Sequence, residues 1–480
     1  MKPNIIYILS DQHNPSVMGC AADKVVRTPN LDAFSAKSVN LDNCYCAAPL
    51  CVPSRSSILS GLMPCHNGVY NNMQALSSDK ATFVNSLSIN GYETVLSGRM
   101  HFVGADQRHG YEKRFVGDIT PCYIGADNEE EIYGSFKRSS GQNLTSVKKS
   151  GAGYSAVFDF DDDVTSAACD YLHTRTDTRP LFMTVGFYGP HCPYIAPEKL
   201  YNYYYEKLAP LQDTSEEKAN IHPAIKQWYK NREMEAVTND DLRRIRAAYY
   251  SMVEYMDGLV GKVLNAIEKT VGLDNTIVIY GSDHGDNIGE HGLLWKTNFY
   301  DGAARVPMMF SWKGHFAEGT HISSPTSLLD LAPTLLSITN APSLTHYDGK
   351  DLSCVLNSGE DIDTDRAVIS LCSDIKGDNP SAMVRKGRYK LIYYAGYEHK
   401  QLFDLVSDKD ELHDLGKDAS FAKIIDEMSL ELVGLWDETT AMKELDDAKI
   451  NFKLMQKWHK IANLPIVEEW RGNAENNYLI

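Results

Sequence analysis

Four short runs decide what this chain can fold into: NIIYIL at Asn4 to Leu9, ETVLS at Glu93 to Ser97, LFMTVGF at Leu181 to Phe187 and NTIVIY at Asn275 to Tyr280. Each is nearly continuous in apolar, β-branched or aromatic residues instead of alternating with polar ones, which predicts strands buried on both faces. Helix-like stretches separate them, so the expected fold is α/β, a large and mainly parallel sheet sandwiched by helices. The clearest helix follows Thr238, a capping residue, with Asp240 and Asp241 in its first turn. Leu242, Ile245, Tyr249, Met252, Met256, Leu259, Val263 and Ile267 form its apolar stripe.

From about residue 365 the texture changes. AVISLC, SAMVRKGRYKLIYYAG and KQLFDLVSDKDELHDL alternate apolar and polar residues between Gly and Asp turns, which predicts a small antiparallel sheet. Two helical segments and an aperiodic tail, EEWRGNAENNYLI, follow. The division expected is therefore residues 1–364 as an α/β catalytic domain and 365–480 as a smaller α+β subdomain. Its tail is expected to pack on its own domain or to build a homo-oligomer.

A formal charge of −17 leaves no basic excess for nucleic acid or an anionic membrane. The apolar run before Asp11 is too short for a signal-peptide core or a membrane span. The ten cysteines show no zinc-type pairing with histidines, and Cys44 and Cys46 form only a lone C-x-C. Reduced thiols in a cytoplasmic protein are the expectation.

In an open α/β sheet, ligands bind beyond the carboxyl ends of the strands. Ser10, Asp11 and Gln12 follow the first run, Arg99 and His101 the second, His191 the third, and Asp283, His284 and Asp286 the fourth. Any one of these also suits a cap or a turn; four strand ends together point to a site. Asp11, Gln12, Asp283 and His284 offer carboxylate, amide and imidazole ligands for calcium, magnesium or manganese. In CVPSRSSILSG, Pro53 suits the first turn of a helix, which places Cys51 at the positive end and Arg55 one turn on. That pairing suits a tetrahedral anion, so an anionic ester is the expected substrate.

C-x-P-S-R followed by x-x-x-S-G, TPNLD (Thr28 to Asp32), NGYETVLSGRMHF (Asn90 to Phe102), GPHCPY (Gly189 to Tyr194) and GSDHGDNIGEHGLLWK (Gly281 to Lys296) together resemble the type I sulfatases of the alkaline phosphatase superfamily. DLAPTLL and LFDLVSDKDELHDL extend the likeness over almost the whole chain. The resemblance implies that a maturing enzyme oxidises Cys51 to formylglycine, whose hydrated form attacks sulfur and then expels sulfate as the hemiacetal collapses. It implies metal ligation by Asp11, Gln12, Asp283, His284 and the modified Cys51, with calcium the expected ion. Arg55 and Arg99 would hold charge, His101 would orient the diol or assist its collapse, His191 would protonate the leaving oxygen, and Lys296 would bind the sulfate.

Three departures stand out. Gln12 replaces a second aspartate found in many members, Arg99 replaces the lysine of a G-K-x-H pattern, and Ser60 replaces a threonine. GRMHFVGADQRHGYEKRF is similar to a segment of choline-sulfatase-like proteins, so the substrate expected is a small choline-like sulfate or a glycan sulfate. The alternatives are a phosphonate monoester or phosphodiester hydrolase and, in another class, an inactive binding protein that kept the fold.

Overall fold

The computed structural model describes every residue except 1, 210–220, 362, 374–375, 463 and 465–466. In chain order, the elements of the first region used below are β1 (Asn4–Asp11), β2 (Val39–Leu41), α1 (Cys51–Ser60), α2 (Pro64–Asn67), β3 (Glu93–Gly98), β4 (Lys113–Phe115), α3 (Ala156–Thr174), β5 (Leu181–Pro190), α4 (Asn239–Lys269), β6 (Thr276–Ser282), β7 (Met308–Ser311), β8 (Thr320–Ile322) and α5 (Leu331–Thr339). Among the described residues the strands form one eight-stranded sheet, in the order β8-β2-β7-β6-β1-β5-β3-β4. Only β7 runs antiparallel to its neighbours, β6 and β2; the other pairings are parallel.

β1 explains why the apolar runs are continuous. Ile5, Tyr7 and Leu9 enter the layer that holds α1 and α5, whereas Ile6 and Ile8 enter the layer built by α3 and α4. All are essentially inaccessible, and each such side chain removed from water contributes about 1.5–3 kcal/mol. A polar residue at any of them would lie in a core, whichever face it took.

α4 starts as its sequence predicts. Asp241 N–H donates to Thr238 Oγ1 (3.1 Å) and Thr238 N–H donates back to Asp241 Oδ2 (2.9 Å), a reciprocal capping box. Its stripe does more than pack. Tyr249 OH donates to Gln12 O and accepts from Asn14 N–H, both at 2.7 Å, which fixes the loop leaving β1.

The C-terminal region holds an antiparallel sheet of β9 (Ala367–Cys372), β10 (Ser381–Lys386), β11 (Tyr389–Tyr394) and β12 (Gln401–Asp404). Buried ion pairs fasten it to the first region. Arg366 grips Asp330 with both terminal nitrogens (2.7 and 2.6 Å). Lys390, fully buried, donates to Phe299 O (2.9 Å), Glu411 Oε1 (2.6 Å) and Asp301. Lys390→Met is expected to lower the unfolding free energy by about 3–5 kcal/mol, because buried Glu411 would lose its cation while facing Asp301, which would keep only Arg305. A urea denaturation series checks it.

After α6 (Ala422–Leu430) and α7 (Glu438–Ala462), the tail returns to the first region instead of lying on the sheet it follows. Tyr478 and Leu479 pair antiparallel with Tyr154 and Gly153, and Asp118 N–H donates to Glu468 O (2.8 Å).

His291 carries a pH dependence. Its ring stacks on Tyr300, centroids 4.0 Å apart, and burial, with Lys390 nearby, lowers its pKa from 6.5 to about 4. The folded value lies below the unfolded one, so the unfolded chain binds the extra proton and stability falls as pH drops from 6.5 toward 4. The loss expected from this group is up to about 3 kcal/mol. His291→Asn keeps a residue type tolerant of the φ of 53° found here, and should flatten the slope of stability against pH.

Candidate active site

The parallel register of β1 and β6 sets Ser10 beside Ser282, so Asp11 and Asp283 leave adjacent strand ends together. α1 begins at Cys51, and its residues from Cys51 to Ser60 are all buried. Val52 N–H is satisfied by Asn72 Oδ1 (3.0 Å), and Ser54 Oγ ties the first turn to Asp283 O (2.6 Å). Gly61, in the left-handed conformation, closes the helix. The hydroxyl of Ser60 turns back to Ser56 O (2.7 Å) at the far end, away from the site. β3 and β5 deliver Arg99 and His191. Gly186 is required there, because a Cβ on it would lie 1.9 Å from Arg99 O.

Donor atoms of Asp11, Cys51, Asp283 and His284 lie within 4.8 Å of one another, all buried. Cys51 Sγ is 3.1 Å from His284 Nε2 and 3.6 Å from Asp11 Oδ1. His284 Nδ1 lies 2.9 Å from Gly285 O, a group that can only accept, so Nδ1 carries the proton and Nε2 turns a lone pair to the site. Gln12, at φ 68°, presents Oε1 to Lys296 Nζ (2.7 Å) and donates Nε2–H to Asp286 Oδ2 (2.7 Å). Lys296 Nζ also lies 3.1 Å from Cys51 Sγ and 3.2 Å from His284 Nε2. An ammonium thus sits among an amide oxygen, an imidazole and the residue 51 side chain. Two buried carboxylates complete a donor set that fits a divalent cation.

Arg55 bridges the carboxylates, donating from Nε to Asp283 Oδ2 (2.7 Å) and from Nη2 to Asp11 Oδ2 (3.1 Å). Arg99 Nε donates to the same Asp11 oxygen (2.6 Å). Burial alone would raise the Asp11 carboxyl, but Arg99, His191, Arg55 and Lys296 outweigh it and hold the group well below the usual carboxylate range. Burial opposes the charge on Lys296 too, yet Cys51, Asp11 and Asp283 keep it protonated.

The two remaining histidines differ. His191 Nδ1 donates to Cys192 O (2.7 Å), which leaves the Nε2 lone pair for the cavity that His191 lines. Burial and then Lys296 lower its pKa. His101 accepts at Nδ1 from Arg99 Nη2 (2.7 Å), so its proton is on Nε2; burial and the Arg99 charge hold it neutral. It meets the site through Arg99.

Asp118 is the site residue that sequence reasoning missed. It accepts from Arg99 Nη1 (2.8 Å) and from His101 N–H (2.7 Å), and it comes from the loop after β4. Asp286, seen only as one of several strand-end residues, is buried and accepts from Gln12 and Tyr194 OH; burial pushes its carboxyl up to about 7. The site opens into a cavity of about 170 Å³ lined by Gln12, His191 and Lys296 with Asn72, Met73 and Gln142. A larger groove of about 950 Å³, at Met308, Arg305 and Arg385, contains none of this chemistry.

The sulfatase family model matches residues 3–341, and a model described as N-sulphoglucosamine sulphohydrolase, C-terminal, matches residues 289–438. The choline-sulfatase of Rhizobium meliloti is 34% identical over 437 residues, covering 87% of this chain and 83% of that protein. An arylsulfatase of Clostridium perfringens is 26% identical, over 89% of this chain and 92% of its own. The crystal structure of the phosphonate monoester hydrolase of Agrobacterium radiobacter superposes with a TM-score of 0.74 at 22% identity, covering 90% of this chain and 95% of that one, a likeness of fold.

Proposed function

This chain belongs to the sulfatase family of the alkaline phosphatase superfamily, and we propose that it hydrolyses the sulfate monoester of a small polar alcohol with residue 51 as nucleophile. One observation carries the reading: the Cys51 side chain, first in a buried helix, lies against Asp11, His284 and Lys296 while Arg55 bridges Asp11 and Asp283.

Cys51 Sγ marks where the oxygens of a hydrated formylglycine would stand. Asp11, Asp283, His284 and the Gln12 amide oxygen would hold the cation, calcium on the strength of the oxygen-rich donors, with magnesium or manganese as outcomes of a metal-substitution series. A bound cation would supply Lewis acidity that lowers the pKa of the attacking hydroxyl. Arg55 would stay on the carboxylates and keep the nucleophile's surroundings electrically balanced. Lys296 would turn to the sulfate. His191 Nδ1 is committed to Cys192 O, so Nε2 can donate to the leaving oxygen only as an imidazolium; the negative charge of a bound sulfate ester favours that state.

Cavity size and lining support a compact alcohol, and the choline-sulfatase relative supports the same class. Cys51 is 1% exposed, so a maturing enzyme would have to reach it before the chain folds. All ten cysteines are free, which suits a reducing cytoplasm. Among the described residues no helix is long and apolar enough to cross a membrane. Ile450, Leu454, Trp458 and Ile461 form an exposed stripe on α7 that supports a homo-oligomer through the C-terminal region; light scattering tests it.

Turnover of choline sulfate, an aryl sulfate, glucosamine 6-sulfate and an aryl phosphonate monoester by converted, calcium-loaded enzyme tests the function. A small-alcohol sulfate should give the highest kcat/KM. Preference for the phosphonate ester overturns the sulfatase assignment of activity, and failure to hydrolyse every ester identifies an inactive binding protein.

A further inference from the structure

A second group of metal-binding side chains lies at the opposite end of α1. His66 Nδ1 is 2.9 and 2.8 Å from the two oxygens of Asp348, and His346 Nε2 is 3.1 Å from Asp348 Oδ1. The two imidazoles meet edge to face, ring centroids 5.8 Å apart, and all three donor atoms fall within 4.8 Å of one another. We propose that His66, His346 and Asp348 form a surface site for a borderline transition-metal cation, with zinc the best match.

The donors argue for the ion. Two imidazole nitrogens and one carboxylate suit zinc, cobalt or nickel, whereas calcium and magnesium take oxygen ligands. Zinc bonds of about 2.0–2.2 Å at tetrahedral angles set ligand atoms about 3.3 Å apart, a few tenths of an ångström beyond the two imidazole–carboxylate separations found here. The two imidazole nitrogens lie within 4.8 Å of each other, and the exposed His346 side chain can rotate to bring them to that spacing. Without a cation each imidazole can donate its own ring proton to Asp348; a bound ion would take the place of both protons, each moving to the other ring nitrogen.

The frame is already rigid. Asp348 Oδ2 accepts from Met63 N–H (2.6 Å), and Asp348 N–H donates to Gly61 O (2.9 Å), so the carboxylate is pinned to the residues that end α1. His66 is carried by α2, whose first turn is set by Pro64. The His346 side chain is 64% exposed, which leaves the remaining coordination positions open to water. A bound ion would clamp the segment 61–66 to the segment 346–348, far along α1 from Cys51.

Equilibrium dialysis against zinc chloride tests the site in the full chain with calcium in excess, comparing wild type with His346→Ala. Wild type should retain one more zinc per chain at micromolar free zinc, and the variant should bind that zinc at least about 10-fold more weakly. His346 lies outside the catalytic cavity and on the surface, so ester turnover should be unchanged; both proteins share the catalytic centre, and the difference between them isolates this site. Equal zinc binding by the two proteins overturns the proposal.

Discussion

Cys51→Ala is expected to lower kcat/KM for a sulfate ester by about 10⁴-fold or more, with the protein still folded. The side chain fills little volume, so its loss costs stability on the order of 1 kcal/mol, whereas the attacking group beside Asp11 and His284 goes with it. Cys51→Ser sharpens the result. A serine hydroxyl can take a sulfuryl group but has no second hydroxyl to expel it, so the variant should release at most one alcohol per active site and stop. Continuous turnover by the alanine variant, with near-native thermal unfolding, would remove residue 51 from the chemistry. Mass measurement of the peptide containing Cys51 belongs in the same experiment, because an unconverted sample mimics the loss.

Legibility tracked the locality of the physical cause. The runs at Ile5–Leu9 and Thr276–Tyr280 announce buried strands because their own composition demands cover on both faces, and the parallel register then makes Asp11 and Asp283 neighbours. α4 announces its start because Thr238 and Asp241 lie three positions apart. Cys51 and Arg55 share one helix, so their spacing is already geometry. Asp118 had no such signal: in the sequence it is an ordinary turn aspartate, and it reaches Arg99 only because β3 and β4 pair in parallel. Lys390 resembles any strand lysine until Asp301 and Glu411, distant in sequence, close around it. The return of the tail to Gly153 and Tyr154 is likewise a long-range pairing without a local pattern.

Arg99→Lys should cost much more than a conserved charge suggests, although lysine is the residue that the resemblance leads one to expect there. The guanidinium works along separate edges: Nε to Asp11 (2.6 Å), Nη1 to Asp118 (2.8 Å) and Thr120 (3.1 Å), and Nη2 to His101 (2.7 Å), with its carbon 4.9 Å from the centre of the Tyr188 ring. A lysine ammonium is a single point and cannot span Asp11 and Asp118 at these spacings. Either Asp11 would be left with Arg55 alone (3.1 Å) or Asp118 with Arg114 alone (4.0 Å), each short of a buried hydrogen bond to a charged donor, at a cost of about 1–3 kcal/mol in stability. His101 would also lose the donor that fixes its Nδ1 as acceptor, and its ring would be free to turn. The expected kinetic result is a fall in kcat of about 10²-fold with KM little changed, since Arg99 positions groups instead of gripping the alcohol. Asp118→Asn should reproduce the direction with a smaller effect, because an amide oxygen still accepts from His101 N–H while the charge opposite Arg99 is gone. If Arg99→Lys keeps wild-type kcat while Asp118→Asn is also silent, Arg99 serves only as bulk positive charge, and the Asp11–Arg99–His101 chain has no part in setting the geometry of residue 51.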